Sequence, residues 1–193
     1  MEKTFVEDKT YEKIDFRESP LPKGEYENCT FNDCDFSNAD LSDIKFMECS
    51  FNACNISLAK VNNTAFKEIE FTDCKMLGLL FSNCYQFGLS FTFKNCLMNS
   101  CSFYQTKIKK TIFTNSNLQE IDFTECDLSG AFFENCDLTG AVFDHTIIEK
   151  ADFRTSYNYS IDPEINRIKR AKFSLPEVIG LLSKYDVEID SAH

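Results

Sequence analysis

Large apolar residues recur at every fifth position over most of this chain. One unbroken series runs Tyr26, Phe31, Phe36, Leu41, Phe46, Phe51, Ile56, Val61, Phe66, Phe71, Met76 and Phe81, with Phe16 in phase ahead of it. After a slip of two residues a second runs Phe93, Met98, Phe103, Ile108, Phe113, Leu118, Phe123, Leu128, Phe133, Leu138, Phe143, Ile148 and Phe153. A helix repeats at about 3.6 residues and a strand at two, so neither accounts for a period of five. Two residues before each large one sits a usually small residue. That position holds all ten cysteines, interspersed with Ala, Ser and Thr; Ile44, Ile69, Leu79, Phe91 and Ile121 are its large exceptions. The other three positions are rich in Asp, Asn, Ser, Thr, Glu and Lys. Each unit therefore turns one large and one small side chain inward and three outward.

Such a unit makes one side of a square coil, with coils stacked through backbone hydrogen bonds at roughly 4.8 Å. The expected fold is all-β, a right-handed quadrilateral β-helix closed by a short C-terminal helix and strand. It is a solenoid of mainly local contacts whose ends need caps. Residues 1–24 are expected to form an N-terminal cap and partial coil, 25–156 the β-helix, and 157–193 a C-terminal capping and dimerisation segment. In the second series Phe alternates with Met, Ile or Leu. Residues ten apart lie on opposite faces, so Phe should stack on two opposed faces and aliphatics on the other two. The cysteines share their position with Ala, Ser and Thr and form no CxxC grouping, so they read as core thiols rather than metal ligands.

The phase slip lies in residues 82–92. It reads either as a corner bulge eased by Gly88 or as a projection that offers Tyr85, Phe87 or Leu89 to a partner. At the C-terminus, Ser174 and Glu177 resemble a capping box for a short helix. Val187 and Ile189 alternate with acids as an edge strand would. The apolar residues Val178, Ile179, Leu181, Leu182, Val187 and Ile189 either cap the last coil or form a homodimer interface.

The formal net charge is −11, and 19 of the 31 acids lie in residues 25–156. Nine of these fall between 120 and 152 against Lys150 alone: Glu120, Asp122, Glu125, Asp127, Glu134, Asp137, Asp144, Glu149 and Asp152. They read either as a solvating surface or as a carboxylate array aimed at a partner groove that otherwise holds DNA. An Asp or Asn just before a large residue (Asp35, Asp40, Asn55, Asn117, Asp122, Asp127, Asp137, Asp152) suits a third role, bracing the turn by a side-chain hydrogen bond. Excess negative charge disfavours direct binding to nucleic acid or acidic membranes. There is no long apolar run or signal-like N-terminus, which makes the cytoplasm the expected location. No nucleotide-binding, nucleophile-elbow or metalloprotease motif occurs, and the only histidines are His145 and His193. No enzyme activity and no cofactor are expected.

The units ADLSD (39–43), CDFSN (34–38), CDLSG (126–130), CDLTG (136–140) and ADFRT (151–155) resemble the A(D/N)Lxx motif of the pentapeptide repeat family. The central phase break, the DPEINRI segment (Asp162 to Ile168) and the LLxxYxVxI tail (Leu181 to Ile189) are similar to its topoisomerase-protecting branch. That branch includes the quinolone-resistance (Qnr) proteins and microcin B17 immunity proteins, the latter sharing DPEINRI and a Cys-rich small position. The resemblance implies a dimeric, DNA-like rod joined through its C-terminal elements. Such a rod would bind DNA gyrase or topoisomerase IV and relieve poisoning without chemistry. Many Qnr proteins carry long projecting loops, whereas this chain has room only for a two-residue expansion. That departure counts against quinolone protection specifically and leaves protection from another gyrase-directed toxin, or plain topoisomerase binding, more open. The alternative function is a structural or adaptor repeat protein that binds another basic partner.

Overall fold

In the computed structural model, which describes residues 4–190, the chain winds as a four-sided parallel β-solenoid with almost no helix. Its strands are β1 (Thr4–Glu7), β2 (Thr10–Glu12), β3 (Gly24–Glu27), β4 (Thr30–Asn32), β5 (Lys45–Met47), β6 (Ser50–Asn52), β7 (Ala65–Lys67), β8 (Ile69–Thr72), β9 (Phe91–Lys94), β10 (Ile112–Thr114) and β11 (Phe132–Glu134). The first face is the sheet β1-β3-β5-β7, and the second face is the seven-stranded sheet from β2 to β11. On the remaining two faces coils meet through single-residue bridges, such as Asp35 with Asn55 and Ser102 with Asp122. Pairing is in register at twenty residues, as in Phe31 opposite Phe51, and at twenty-two across the break, as in Phe71 opposite Phe93.

The inward residues fill the square as the periodicity predicts. On the second face one aromatic column runs Tyr11, Phe31, Phe51, Phe71, Phe93, Phe113, Phe133, Phe153, Phe173. Its near-parallel rings lie 4.5 to 5.5 Å apart at every step. Past the break the opposed fourth face carries the parallel pairs Phe81–Phe103 and Phe103–Phe123, then Phe143. Aliphatics line the first and third faces there, as expected. Before the break the companion column is instead Tyr26, Phe46, Phe66, on the adjacent first face. Phe91 joins the two arrangements. It occupies a small-residue position and lies edge-on or tilted to Phe66, Phe71 and Phe81, 5.2 to 6.3 Å away.

The small position has a hydrogen-bonding role that periodicity does not reveal. Cys49, Cys54 and Cys74 donate their thiol protons to the carbonyls of Tyr26, Phe31 and Phe51 in the preceding coil, at 3.2–3.3 Å. Thr64, Thr146 and Ser156 do the same with hydroxyls at 2.8 Å. A buried carbonyl left short of donors is costly, so Cys, Ser and Thr are favoured over Ala wherever they fit. All ten cysteines are free and buried. Burial pushes the thiols of Cys49, Cys101 and Cys126 up to about 12, which leaves almost no thiolate at neutral pH.

Corners carry a second regularity. The residue two beyond each large one adopts a left-handed conformation at nearly every corner, including Glu48, Ala53, Leu58 and Lys110. A non-glycine residue there loses about 1–2 kcal/mol. In return its N–H points along the rod: Asn28 donates to Met47, Asn38 to Ser57 and Glu48 to Lys67, at 2.9 to 3.0 Å. The strain is offset by an inter-coil hydrogen bond that a right-handed corner would not align.

The coil extends beyond 25–156 at both ends. β1 and β2 pair in full register with β3 and β4, and Tyr11, Phe16 and Leu21 are buried, so the first coil is complete. At the other end Ile147 pairs with Arg167 and Asp152 with Lys172. Here buried Asn166 replaces the usual small residue. Its oxygen accepts from the Thr146 N–H at 2.7 Å, and its amide donates to the Phe143 carbonyl at 2.9 Å. The DPEINRI segment is thus part of a final coil.

The C-terminal segment departs from expectation. The helix forms as two short 3-10 turns, Glu177–Leu181 and Ser183–Tyr185, and 187–189 joins no ladder. The capping box does not form: the Ser174 backbone carbonyl accepts from the Val178 N–H, and the Glu177 carboxylate accepts instead from the Asn158 N–H. A longer helix loses to tertiary contacts because the turn lies flat on the last coil. A Cβ on Gly180 would stand 2.1 Å from the Tyr159 carbonyl oxygen, while the Ile161 N–H donates to the Gly180 carbonyl. Lys184 clasps Asp162 and Glu164 at 2.7 and 2.5 Å.

Two expectations follow. Phe91→Ala should lower the free energy of unfolding in urea by about 3–5 kcal/mol, whereas Phe87→Ala should change it by less than about 0.5 kcal/mol. A water-soluble thiol reagent should leave the native protein nearly unlabelled and modify all ten cysteines after denaturation.

Candidate interaction surfaces

The acids of 120–152 do not form one face. Face by face, Asp127 and Glu149 flank the large residues of the first face, Glu134 and Asp152 those of the second, and Asp137 lies on the third. Asp122 and Asp144 flank Phe123 and Phe143 of the fourth face, and Glu120 and Glu125 stand at its two corners. The distribution follows from the period: consecutive five-residue units face directions a quarter-turn apart, so a run of acids in sequence wraps around the rod.

Ion pairing divides the nine further. Asp127 meets Lys109 at 3.1 Å and Glu149 meets Arg167 at 2.8 Å. Asp152 is buried and bound by Arg154 and Lys172. Those three carry little free charge. Asp122, Asp127, Asp137 and Asp152 each also accept the backbone N–H two residues on, at 2.9 to 3.2 Å. Asp35, Asp40, Asn55 and Asn117 make the same bond. The turn-bracing role therefore holds at all eight positions.

Around the fourth face, by contrast, no Lys or Arg pairs with Glu120, Asp122, Glu125 or Asp144 among the described residues. Neutral donors one coil back hold three of them: Ser100 on Glu120 at 3.0 Å, Ser102 on Asp122 at 3.1 Å and Gln105 on Glu125 at 2.8 Å. Asp144 meets His145 at 2.6 Å. A hydroxyl or amide fixes a carboxylate's direction without cancelling its charge. The result is an oriented, uncompensated anionic patch.

The expansion is a braced projection. Gly88, at a φ of +80°, turns the chain, and the Gln86 amide donates to the Ser82 and Cys84 carbonyls at 3.1 and 2.8 Å. Tyr85 is half exposed and Phe87 is 84% exposed. Leu89 corrects the expectation: it is 7% exposed and packs in the core, because the chain re-enters the coil there. Leaving a phenyl group in water forgoes about 1.5–3 kcal/mol of burial. Beside the projection lies a groove of about 430 Å³, lined by Asp43, Lys45, Met47, Asn63, Ala65, Lys67, Tyr85 and Phe87.

Charge along the rod shows a signal that the count over 25–156 conceals. Residues 25–73 hold ten acids against three lysines, and 120–152 hold the nine already described. Between them, residues 74–119 hold no acid and five lysines: Lys75, Lys94, Lys107, Lys109 and Lys110. Counting charge coil by coil rather than over the whole repeat would have exposed this belt from sequence.

At the C-terminal end the proposed interface residues separate. Leu181 is half-buried against the core and Val178 is half-buried. Ile179, Leu182, Val187 and Ile189 are exposed and share a groove of about 400 Å³. Among the described residues no cluster of His, Cys, Asp or Glu could hold a metal ion, and no helix is long and apolar enough to cross a membrane.

A stacked square coil with an outward polar lattice defines a repeat solenoid that displays side chains on four faces. The chain belongs to the pentapeptide repeat proteins: residues 25–92 match the family described as Pentapeptide repeat region, and 116–154 match Pentapeptide repeats in eight copies. It is similar in fold to a trypsin-treated variant of QnrB1, a plasmid-mediated fluoroquinolone resistance protein. The TM-score is 0.51 at 18% identity, covering 97% of this chain and 100% of that one. HetL from the cyanobacterium Nostoc sp. strain PCC 7120, involved in heterocyst differentiation regulation, aligns over 90% of this chain and 85% of its own with a TM-score of 0.48 and 13% identity. No curated protein matches in sequence.

Acid should probe the turn braces. Burial alone would raise the Asp137 pKa, but hydrogen bonds from Thr139, Gln119 and Asn158 together outweigh it and hold the carboxyl at about 2, below the ordinary 3.8. A depressed folded-state value contributes stability above the unfolded pKa, and this is lost as pH falls through the folded one. Stability should therefore drop between pH 4 and pH 2, and Asp137→Asn, which keeps the acceptor oxygen, should flatten that part of the unfolding curve.

Proposed function

We propose that this protein is a non-enzymatic DNA mimic that binds DNA gyrase or topoisomerase IV and protects it from a poison, an antibiotic or a peptide toxin. The observation that carries this is the fourth-face patch of Glu120, Asp122, Glu125 and Asp144, the first three fixed by neutral donors and Asp144 by His145, on a rigid ladder. These carboxylates, spread over two successive coils of the fourth face and its corners, present anionic charge to a groove built for a phosphate backbone. The DPEINRI and tail resemblance to the topoisomerase-protecting branch supports the same reading, as does the fold shared with a fluoroquinolone resistance protein. The exposed groove formed by Ile179, Leu182, Val187 and Ile189 suits a second copy of the chain, which would double the rod about a two-fold axis and repeat the anionic patch.

The test is gyrase supercoiling across a concentration series of the protein, with and without a fluoroquinolone or microcin B17. Poisoned enzyme should be rescued at concentrations that leave unpoisoned supercoiling intact. The triple variant Glu120→Gln, Glu125→Gln, Asp144→Asn should need at least about tenfold more protein for the same rescue, equivalent to about 1.4 kcal/mol of binding. No effect in either arm with folded protein would sink the topoisomerase reading.

A further inference from the structure

The projecting aromatics, the groove beside them and a belt of lysines coincide on the first face: the positions flanking its large residues carry Lys45, Lys67, Lys107 and Lys109 and no acid between Glu27 and Asp127. Tyr85, Phe87, Met47, Ala65, Lys45 and Lys67 line the groove together with Asp43 and Asn63. On the same face Lys107 and Lys109 flank Ile108, the next large residue, and Lys110 stands at its corner. Lys107 and Lys110 are exposed and make no ion pair among the described residues. Lys45 and Lys67 meet Glu25 and Glu68 at 2.8 and 4.0 Å, surface pairs of the kind that exchange readily for another carboxylate. Asp43, at the rim, is held by Lys23 and Asn63.

We propose that this belt is a docking site for a short acidic protein segment carrying one large apolar side chain, separate from the anionic patch of the fourth face. Two features select that occupant. Phe87 is exposed on a turn braced by Gln86, so an ordered aromatic surface awaits cover, and aromatic anchors ringed by charge are the usual centre of a protein contact. The positive belt is also short: at roughly 4.8 Å per coil, its four or so coils end on Glu25 and Glu27 at one side and on Asp127 at the other. A nucleic-acid strand running along the rod would meet those acids within a Debye length of about 8 Å, whereas a segment of a few residues fits between them. A groove of about 430 Å³ accepts one large side chain with its adjoining backbone.

The site is tested without a topoisomerase, so its failure is distinct from failure of the proposed function. Capped octapeptides of Asp and Glu with one central Leu, Met or Phe are titrated into the full chain, with backbone amides followed by NMR. Matched peptides with Lys in place of the acids and the oligonucleotide dT10 serve as comparisons. Saturable shifts at Ala65, Phe87 and Lys107 are expected with the acidic peptides, weakening as salt is raised. Phe87→Ser and the pair Lys67→Glu, Lys107→Glu should each weaken binding at least tenfold while leaving the urea midpoint in place. Absence of saturation with every acidic peptide overturns the proposal, as do equal binding of the basic peptides, tighter binding of dT10, or shifts confined to 120–152.

Discussion

The aromatic column of the second face is the interaction on which the rest depends. Near-parallel rings from Tyr11 to Phe173 repeat at the spacing of the backbone hydrogen bonds, so side-chain stacking and strand pairing enforce the same register. A slip of one residue would turn every large side chain outward, which makes register the best-specified property of the fold. The column continues through the break: Phe71 and Phe93 stack at 5.4 Å although two extra residues separate them. The insertion is absorbed on the first face, where the four-stranded sheet ends and the companion aromatic column stops. Phe91 fills the volume between that column and the one on the fourth face.

Outward side chains serve two competing demands. An Asp or Asn before a large residue braces its corner, and the residue two beyond must tolerate a left-handed backbone, so Asp and Asn are favoured at both for reasons unrelated to a partner. Many acids are thus explained before function is considered. Those at the fourth face stand together: Ser100, Ser102 and Gln105 orient the carboxylates of Glu120, Asp122 and Glu125 without neutralising them, as Gln119 and Asn158 do for Asp137 alone on the third face. On the first face the same lattice carries lysines. The rod is therefore anionic in bands and locally cationic between them, and it offers two chemically opposite surfaces.

The five-residue period of Phe, Leu and Ile by itself determined the square cross-section, the direction of every inward side chain, the alternating faces past the break and the site of the break. It did so because burial is decided residue by residue and a strict period leaves one way to close a coil. The turn-bracing Asp and Asn residues were legible for the same local reason. Beyond sequence reach was whatever depends on which units become neighbours twenty residues apart. Asp152 is ion-paired with Lys172 of the next coil, Leu89 turns into the core while Phe87 stays out, Asn166 completes a coil beyond the five-residue series, and the tail folds as 3-10 turns pressed on Tyr159. Each outcome is set by contacts between successive coils, and only the stacked structure brings those residues together.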